Sequence, residues 1–484
     1  MKTNFGLNLR AIIWLLFAAG ALVIAVAGCS TKTQSGFASA DDKEEEVETT
    51  REPLGLLAIG LPQFDEEVAL QWAAERDGDL KISHLSIDEF LQADQLPKNI
   101  DLIVHPSVVL VDLISKNMIR TYPRKGLDDP TMNLDSFLTH FRRALVRHDD
   151  KTWSVSLGGH QLKLFYRKDI LEAAGVKPPK TWDELERGIE KLSSCDEANG
   201  MTPVVFPTAN GMAAQVYLAR VSSLIRDQGK LTSFFDRKEM KPTIEAAVFA
   251  NALNDMKFGG GVGGESLSVE EAFTRFVSGN AVFAIGWPEI ADDFDKERLE
   301  EASRNWGVSR LPGARRYFDL NESSWRDRRS NSETNVDLLG SRANCVSITK
   351  GTRNSAGAVE LIMWLTEKRN SQKLLPGIAA PFRATHLGRV GQWYELEQAQ
   401  RQFIDQFADT IDETHRSRIV LIFPQIPGKH LYLEMLDATV LEFLKSEDVD
   451  AQAALQKLAK QWDELTDKLG RTTQLKELRR ANGI

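Results

Sequence analysis

The stretch that decides the fold is residues 164–185, which read LFYRKDILEAAGVKPPKTWDEL. It begins inside a short apolar run, Leu162–Arg167, which predicts a buried strand. A helical pattern follows and ends at an Ala-Gly pair. The prolines then fix where the next helix begins, with Thr181 as its N-cap and Glu184 three residues later, as in a capping box. Because Trp182 is expected to pack beneath this helix, we interpret the stretch as scaffold rather than as part of a binding site.

On the N-terminal side of this stretch, short apolar runs alternate with helical patterns. One helix opens with the capping box Ser86-Ile87-Asp88-Glu89. This β-α-β-α order predicts a mainly parallel sheet that is covered on both faces. The predicted strands are Leu54–Leu61, Leu80–Leu85 and Asp101–Val104, and the predicted helices are Asp65–Arg76 and Val108–Met118.

The C-terminal side continues the same pattern. A further capping box lies at Ser268–Glu271, and the last hundred residues are helical in pattern. Residues 313–335 are polar and unpatterned, which predicts a surface insertion. Further strands are predicted at Pro203–Phe206, Ala281–Ile285, Trp306–Leu311 and Asn344–Ile348.

The N-terminus has the layout of an export signal. Lys2 and Arg10 form a positive region, and an uncharged run rich in Ile, Leu, Val and Ala follows. That run is almost long enough to span a bilayer, so an uncleaved anchor is one alternative. The sequence Val26-Ala27-Gly28-Cys29 resembles the lipobox of bacterial lipoproteins, whose cysteine is acylated and becomes the new N-terminus. A chance cysteine in an apolar helix is the other interpretation.

We therefore predict a lipoprotein signal peptide over residues 1–28 and lipidation at Cys29. Residues 29–52 are polar and almost free of large apolar side chains, so we predict that they form a flexible tether. Acyl chains would hold the exported protein at a bacterial cell membrane, on its periplasmic or cell-surface side.

Composition excludes several classes of protein. The 456 residues after the predicted signal are enough for two or three domains, and 42% hydrophobic with 27% charged residues is ordinary for a globular chain. The net charge of -9 becomes -11 once Lys2 and Arg10 are removed. With no long Lys/Arg cluster, this predicts no nucleic-acid partner. Three cysteines exclude a disulfide scaffold and a four-thiolate zinc site.

Motifs for catalysis, metals and cofactors are missing from the sequence. There is no His-Glu-x-x-His, no zinc-like Cys/His spacing, no Gly-x-Ser-x-Gly elbow and no Walker A loop. Gly259–Gly264 fits Gly-x-Gly-x-x-Gly but follows the helical pattern Ile244–Phe258, where a dinucleotide site needs a strand. We predict that the protein is not an enzyme and has no cofactor and no metal site.

Residues 164–185 resemble the signature of bacterial extracellular solute-binding proteins of the maltodextrin-binding type, which are receptors of ABC importers. In that family a strand ending in Tyr is followed by a helix, Ala-Gly and P-x-T-W-x-E-L. The sequence departs from the family pattern in two places. Ser154–Leu157 stand where the family usually has Y-A-V-P, and residues 313–335 form an insertion. Four further stretches resemble family elements in the right order: Phe276–Trp287, Gly307–Gly313, Cys345–Leu365 and Leu375–Arg383.

The resemblance implies an α/β, two-lobed periplasmic-binding-protein-like fold of type II, in which each lobe is a mainly parallel sheet flanked by helices. Crossing hinge strands would join the lobes near Gln161–Leu164, Val308–Leu311 and Ala379–Phe382. Lobe one would comprise residues 53–160 with 313–378, and lobe two residues 161–312 with 379–484. Ligand would lie in the cleft between them, and closure would be a hinge motion.

The same resemblance implies a ligand site at strand ends and helix N-termini. Trp287 is the expected stacking residue for a sugar ring, because Gly286 and Pro288 mark the end of a strand at the cleft. A tryptophan buried between helix and sheet is the alternative, and for the polar candidates the alternative is an ordinary satisfied surface group. Those candidates are Gln63, His105, Ser107, His160, Gln161, Asn210, Ser341, Arg342 and Arg383.

The function implied is a lipid-anchored receptor that binds a small solute, a carbohydrate first of all, and delivers it to an ABC permease. One alternative is an interaction or sensor lipoprotein that kept the fold without transport. Another is a binder of a non-sugar solute. Arg342 and Arg383 also leave room for an anionic sugar.

Overall fold

The computed structural model describes residues 53–76, 78–227, 234–257, 265–292, 294–340, 342–367 and 379–481. The predicted signal peptide, lipidation site and tether lie outside the described residues, as does the whole glycine run at 259–264.

The strands are short and carry the apolar runs of the sequence. They are β1 Leu54–Ile59, β2 Leu80–Leu85, β3 Leu102–Pro106, β4 Arg147–His148, β5 Lys151–Thr152, β6 Val155–Gly159, β7 Lys163–Arg167, β8 Thr202–Val205, β9 Ala281–Gly286, β10 Trp306–Arg310, β11 Arg316–Asp319, β12 Ser324–Asp327, β13 Asp337–Leu339, β14 Ala343–Ile348 and β15 Val420–Ile422.

The helices alternate with these strands and dominate the C-terminal part. They are α1 Glu66–Glu75, α2 Ile87–Gln92, α3 Leu110–Ser115, α4 Arg124–Leu127, α5 Thr139–Arg143, α6 Lys168–Ala173, α7 Trp182–Leu192, α8 Met212–Ile225, α9 Ala247–Asn254, α10 Val269–Val277, α11 Leu299–Ala302, α12 Ser355–Leu365, α13 Ala384–Leu387, α14 Val390–Trp393, α15 Arg401–Arg416, α16 Lys429–Lys445, α17 Ala451–Lys468 and α18 Arg471–Ala481.

Two of the three predicted capping boxes form with both reciprocal bonds. Ser86 caps α2 and Ser268 caps α10, and in each case the glutamate three residues later accepts from the cap's own N–H. At α7 Thr181 accepts from Glu184 N, while the Glu184 carboxylate accepts from Lys180 N instead. These local bonds satisfy N–H groups that the first helical turn leaves unpaired.

Two sheets organise the described residues. The first has five strands in the order β2-β1-β3-β14-β6, and the second has four in the order β10-β7-β9-β8. β1 is buried along its whole length. We refer to the first sheet with its helices as the first lobe, and to the second sheet with its helices as the second lobe.

Both sheets are mixed, which corrects the prediction of mainly parallel sheets. β1 runs parallel to β2 and β3, but β14 is antiparallel to β3 and β6. In the second sheet β8 and β9 are parallel, whereas β7 is antiparallel to β9 and β10. Two parallel strands that follow one another in the chain need a crossover connection, which the alternating β-α pattern supplies for β1, β2 and β3. β14 lies far along the chain from β3 and β6, so no such local connection sets its direction, and it runs antiparallel to both.

Aromatic packing holds the helices of the second lobe to its sheet. Phe165 on β7 lies 5.1 Å from Phe273 and 6.2 Å from Phe276 of α10, measured between ring centroids. It also lies 6.2 Å from Phe403 and 6.0 Å from Phe407 of α15. Rings at these separations attract one another beyond the gain from burial alone, so α10 and α15 are fixed against the strand that leads out of the first predicted crossing.

The predicted crossing segments contact one another. Lys163 of β7 pairs opposite Arg310 of β10 in an antiparallel ladder. Ala380 N donates to Leu157 O at 3.3 Å. Gly158 has φ +88°, and a Cβ there would lie 2.1 Å from Ala380 O. Only glycine can occupy this position without moving the neighbouring segment.

Residues 313–335 contain the hairpin β11–β12, where the sequence predicted an unpatterned insertion. Arg328 attaches the segment to the end of α8. Its guanidinium donates to the carbonyls of Ser223 and Arg226, at 2.6 Å each, and to the Asp227 carboxylate at 2.8 Å. The hydrophobic alternation of this hairpin is weak in the sequence because one of the two buried positions of β11 is the acidic Asp319 and β12 is mostly exposed.

The predicted helix Val108–Met118 is in fact shorter and broken. A 3₁₀ turn, Ser107–Val109, precedes α3.

Across the described ranges, none of the helices combines the length and the apolar character that crossing a membrane would require.

Candidate ligand-binding site

A cavity of about 830 Å³ lies between the two lobes, where strand ends from both sheets meet it. Gly60 and Leu61 follow β1, and Pro106 ends β3. Trp287 and Pro288 follow β9. Ligands of open α/β sheets bind beyond the carboxyl ends of the strands. The position of the cavity therefore follows from the topology.

An aromatic wall forms one side of this cavity. The Trp287 indole lies parallel to the His160 imidazole, with 4.7 Å between centroids and 14° between planes. Tyr394 meets the same imidazole edge-on at 5.6 Å, and its hydroxyl lies 3.3 Å from His160 Nδ1. Burial lowers the pKa of His160 to about 4, and the positive charge of Arg342 acts in the same direction. The wall is therefore uncharged at neutral pH, as suits the apolar face of a sugar ring.

Charged groups stand beside the wall. The Arg342 guanidinium donates to the carbonyl of Asn210, which lies in the left-handed region at φ 55°. On the other side, Asp437 of α16 accepts from the Ala214 N–H in the first turn of α8 at 2.8 Å. Glu289, two residues after Trp287, accepts from the indole Nε1 at 3.2 Å.

Desolvation shifts the titration of these charged groups. It raises the pKa of Glu289, with the negative charge of Glu270 adding to the effect. It likewise raises the pKa of Asp437 and lowers the pKa of Arg342. Arg342 partly offsets the desolvation of both carboxylates. The three groups thus form one electrostatic set around the cavity.

The structure brings half of the predicted site residues to this cavity. They come from the β1–α1 loop, the segment after β6, the start of α8, the end of β9 and the segment before β14. These residues are Gln63, His160, Asn210, Trp287 and Arg342.

His105 and Ser107, by contrast, are fully buried away from the cavity. His105 Nε2 lies 2.9 Å from Ser347 Oγ, and its Nδ1 lies 2.9 Å from the Pro106 carbonyl. Ser107 donates to the carbonyl of Gly340. The sequence predicted the end of β3 at Val104, two residues before its observed end at Pro106. Pro106 and Val108 line the cavity, while His105 and Ser107 point into the core.

Gln161 and Arg383 are also placed elsewhere. Gln161 Nε2 lies 2.9 Å from His415 Nε2. Arg383 donates to the Thr366 carbonyl at 2.8 and 3.0 Å, and its guanidinium lies 4.1 Å from the Phe137 ring centroid. Arg383 therefore stabilises the packing of these segments and does not line the cavity. Of the two arginines that suggested an anionic ligand, only Arg342 is at the cavity. Ser341 lies outside the described residues.

Several cavity residues were missed by the sequence analysis. Glu289, Trp393 and Tyr394 line the cavity, as does one face of α16. The signal on α16 is a set of residues at spacings of three and four, which is one face of a helix. Sequence alone could not tell whether that face meets solvent, core or cleft. The α16 residues are His430, Leu433, Glu434, Asp437, Ala438 and Leu441.

One group of side chains at the edge of the cavity has donor atoms close enough to hold a metal ion. The ligand atoms of Asp88, His430 and Glu434 lie within 4.8 Å of one another. His430 Nε2 and Glu434 Oε1 are 3.0 Å apart, one helical turn from each other on α16. This i,i+4 contact explains the proximity of His430 and Glu434 without a metal, since side-chain pairs at this spacing are common on helix surfaces.

The fold and the cleft together define a two-lobed α/β ligand-binding protein. A model of the bacterial extracellular solute-binding protein family matches residues 110–372, which is more than half of the chain. The chain belongs to this family, and the predicted family is confirmed.

A curated relative points the same way. YcjN of Escherichia coli (strain K12), whose name places it among ABC transporter periplasmic-binding proteins, is 28% identical over 153 residues. The match covers 30% of this chain and 32% of YcjN, so the chain matches about a third of the length of that relative.

Solved structures share the fold. The sugar-binding protein MalE of Xanthomonas citri superposes with a TM-score of 0.61 at 16% identity, covering 86% of this chain and 98% of that one. Maltose-bound MalE3 of T. maritima gives a TM-score of 0.60 at 18% identity, covering 86% and 100%. A ribitol-bound solute-binding protein of Agrobacterium radiobacter K84 gives 0.59 at 16%, covering 86% and 98%. These matches confirm the predicted two-lobed type II fold.

Proposed function

We propose that this chain is a lipid-anchored receptor that captures a carbohydrate in the interlobe cavity and delivers it to an ABC permease, without catalysing a reaction. The observation that carries the proposal is the cavity itself. It offers an aromatic wall around Trp287 next to Arg342, Glu289 and Asp437, within about 830 Å³. Aromatic faces cover sugar rings, and planar charged groups bond their hydroxyls.

The comparisons add support for the solute class and the partner. Structures with the same fold bind maltose or ribitol, as their descriptions state. The name of YcjN associates it with an ABC transporter. We extend these ligands and this partner to the present chain as part of the proposal.

The anchoring part of the proposal depends on the lipobox-like Val26–Cys29. Acyl chains on Cys29 would hold the protein at the membrane surface, and residues 30–52 would give the lobes reach from it. We retain the predicted lobe division as part of this proposal, with one refinement. The contacts of Arg328 with the end of α8 favour grouping residues 313–335 with the second lobe.

A thermal-shift and calorimetry screen against neutral, acidic and amino sugars, polyols, polyamines and amino acids tests the binding function. A ligand at a hundred times its Kd adds about 2.7 kcal/mol of stability, which raises the Tm of a protein of this size by several degrees. We expect a hit among the sugars or polyols. A hit confined to amino acids would contradict the carbohydrate class. A well-folded sample that responds to nothing would favour the interaction-protein alternative.

The anchor is tested separately by labelling cells with a clickable fatty acid. The native chain should carry label and sediment with membranes, and Cys29→Ser should lose both. Cys345→Ser is the matched control, because that thiol is fully buried. Equal labelling of the native and Cys29→Ser chains would contradict the lipoprotein assignment.

A further inference from the structure

The charges that line the cavity do not balance. Four carboxylates contribute to the lining, from Glu289, Glu395, Glu434 and Asp437. One of them, Glu434, lies 3.0 Å from His430, which also lines the cavity. Among the described lining residues, Arg342 is the only lysine or arginine. His160 is neutral at pH 7 because burial lowers its pKa to about 4.

Glu289 lies two residues after Trp287, and its carboxylate contacts the indole of the aromatic wall. It accepts a hydrogen bond from Trp287 Nε1 at 3.2 Å, and within the described residues no ion pair to Glu289 is found. Glu270 raises the pKa of Glu289 further, and Arg342 lowers it by a smaller effect. A positively charged group that approached Glu289 from the cavity would therefore meet a carboxylate that no described cation contacts directly.

Asp437 faces the same space from α16. Its Oδ1 accepts from Ala214 N at 2.8 Å, and the backbone N–H groups of Ala214 and Ala213 both act to lower its pKa. Arg342 influences both Asp437 and Glu289 electrostatically, while its own hydrogen bond goes to the carbonyl of Asn210. One guanidinium is therefore shared between two carboxylates and is in ion-pair contact with neither.

The aromatic wall suits a cation as well as a sugar ring. The faces of Trp and Tyr rings attract ammonium groups through the ring quadrupole, most strongly where water is excluded. Trp287 is only 6% exposed and Tyr394 only 7%. A neutral His160 between them adds no repulsion.

Resting on the proposed function, we propose that the solute carries a positive charge: a protonated amine on a sugar or polyol frame, attracted to Glu289 and Asp437 beside the Trp287 wall. The ring or polyol part would occupy the wall and the hydroxyls would reach Arg342 and Asn210. The amine would supply the missing positive charge. An anionic sugar would add to the excess of negative charge.

The test compares solutes that differ only in the group that carries the charge. Glucosamine, galactosamine and mannosamine, and β-1,4-linked glucosamine oligomers, are matched with their N-acetylated and neutral parent forms, with spermidine as a cation without a sugar frame. We expect the best binder to be an amino sugar, with at least tenfold weaker binding of its N-acetylated and neutral counterparts. Its affinity should fall as NaCl rises, because an ion pair open to solvent is screened.

Variants locate the charge. Glu289→Gln and Asp437→Asn should each weaken amine binding about tenfold, while Asp327→Asn on the exposed hairpin, with the same change in net charge, should not. If neutral sugars bind as tightly as amino sugars, or an acidic sugar binds best, this inference falls while the receptor function stands. If no sugar, polyol or amine binds, both fall.

Discussion

The Trp287 indole stacks on the His160 imidazole, with 4.7 Å between ring centroids and 14° between ring planes. One residue follows β9 and the other follows β6, so the stack joins a strand end of the second lobe to the end of a first-lobe strand. The predicted stacking residue is thus already in contact with an aromatic partner. A solute ring entering the cavity would meet a preassembled surface.

Replacing Trp287 separates its role in binding from its role in packing. Trp287→Leu removes the aromatic face and should weaken sugar binding about tenfold or more, which corresponds to at least ~1.4 kcal/mol. Trp287→Phe keeps a ring and should retain most of the affinity. Calorimetry on both variants, with the exposed Trp325→Leu as control, checks this. Equal affinity of Trp287→Leu and the native chain would exclude Trp287 from the site.

His105 should make the protein sensitive to acid. Burial lowers the pKa of His105 from 6.5 to about 4 in the folded state. Between pH 6.5 and pH 4 this imidazole is therefore protonated in the unfolded chain and neutral in the folded chain. The contribution of neutral His105 to the free energy of unfolding is fully present above pH 6.5. It is lost as the pH drops toward 4, by about 3 kcal/mol at most.

Urea unfolding of the native chain and His105→Gln between pH 4 and pH 7.5 measures this contribution. The variant should lose less stability on acidification than the native chain, whatever its stability at pH 7.5. His84→Gln, at an exposed position on β2, should follow the native curve. Parallel curves for His105→Gln and the native chain would show that His105 is not the acid-sensitive group.

Gly158 should tolerate no side chain. At φ +88° with the Ala380 carbonyl 2.1 Å from the position of a Cβ, alanine is opposed by both strain and a clash. Gly175 has φ +62° with nothing within 4 Å of its Cβ position, so alanine there meets strain alone.

We expect Gly175→Ala to cost about 1 kcal/mol and Gly158→Ala about 3 kcal/mol or more once the clash is added. Chemical denaturation gives both values. Similar costs at the two positions would mean that the contact between Gly158 and the segment around Ala380 is loose.

Asp337 should be among the most sensitive charged positions. It is 3% exposed, accepts from Arg310 Nε at 2.7 Å, and lies 4.0 Å from the buried Lys163 ammonium. Asp337→Asn leaves two buried cations with less compensation and should destabilise the protein by about 3–5 kcal/mol.

Asp327, paired with Arg316 at 3.1 Å on the exposed hairpin, is the matched control. Asp327→Asn should cost less than about 1 kcal/mol, because water screens exposed ion pairs. Thermal unfolding of the two variants side by side gives the comparison. A small effect of Asp337→Asn would show that neighbouring groups can replace its charge.

The sequence by itself determined what depends on neighbours along the chain. β2 spans Leu80–Leu85 as predicted, and the Ser86 and Ser268 capping boxes form as predicted. Short apolar runs and N-caps specify strands and helix starts through local hydrophobicity and hydrogen bonding. The order of these elements, together with residues 164–185, was sufficient for the family and the two-lobed fold.

Only the tertiary structure decided which side chains face the cavity. His105 and Pro106 are adjacent at the end of β3, yet one points into the core and the other lines the cavity, because successive strand residues point to opposite faces. Asp437 is one polar residue on a helix whose rotation is set by packing against α8 and α17. Direction across a sheet and rotation about a helix axis are settled by contacts between segments hundreds of residues apart, and no local pattern encodes them.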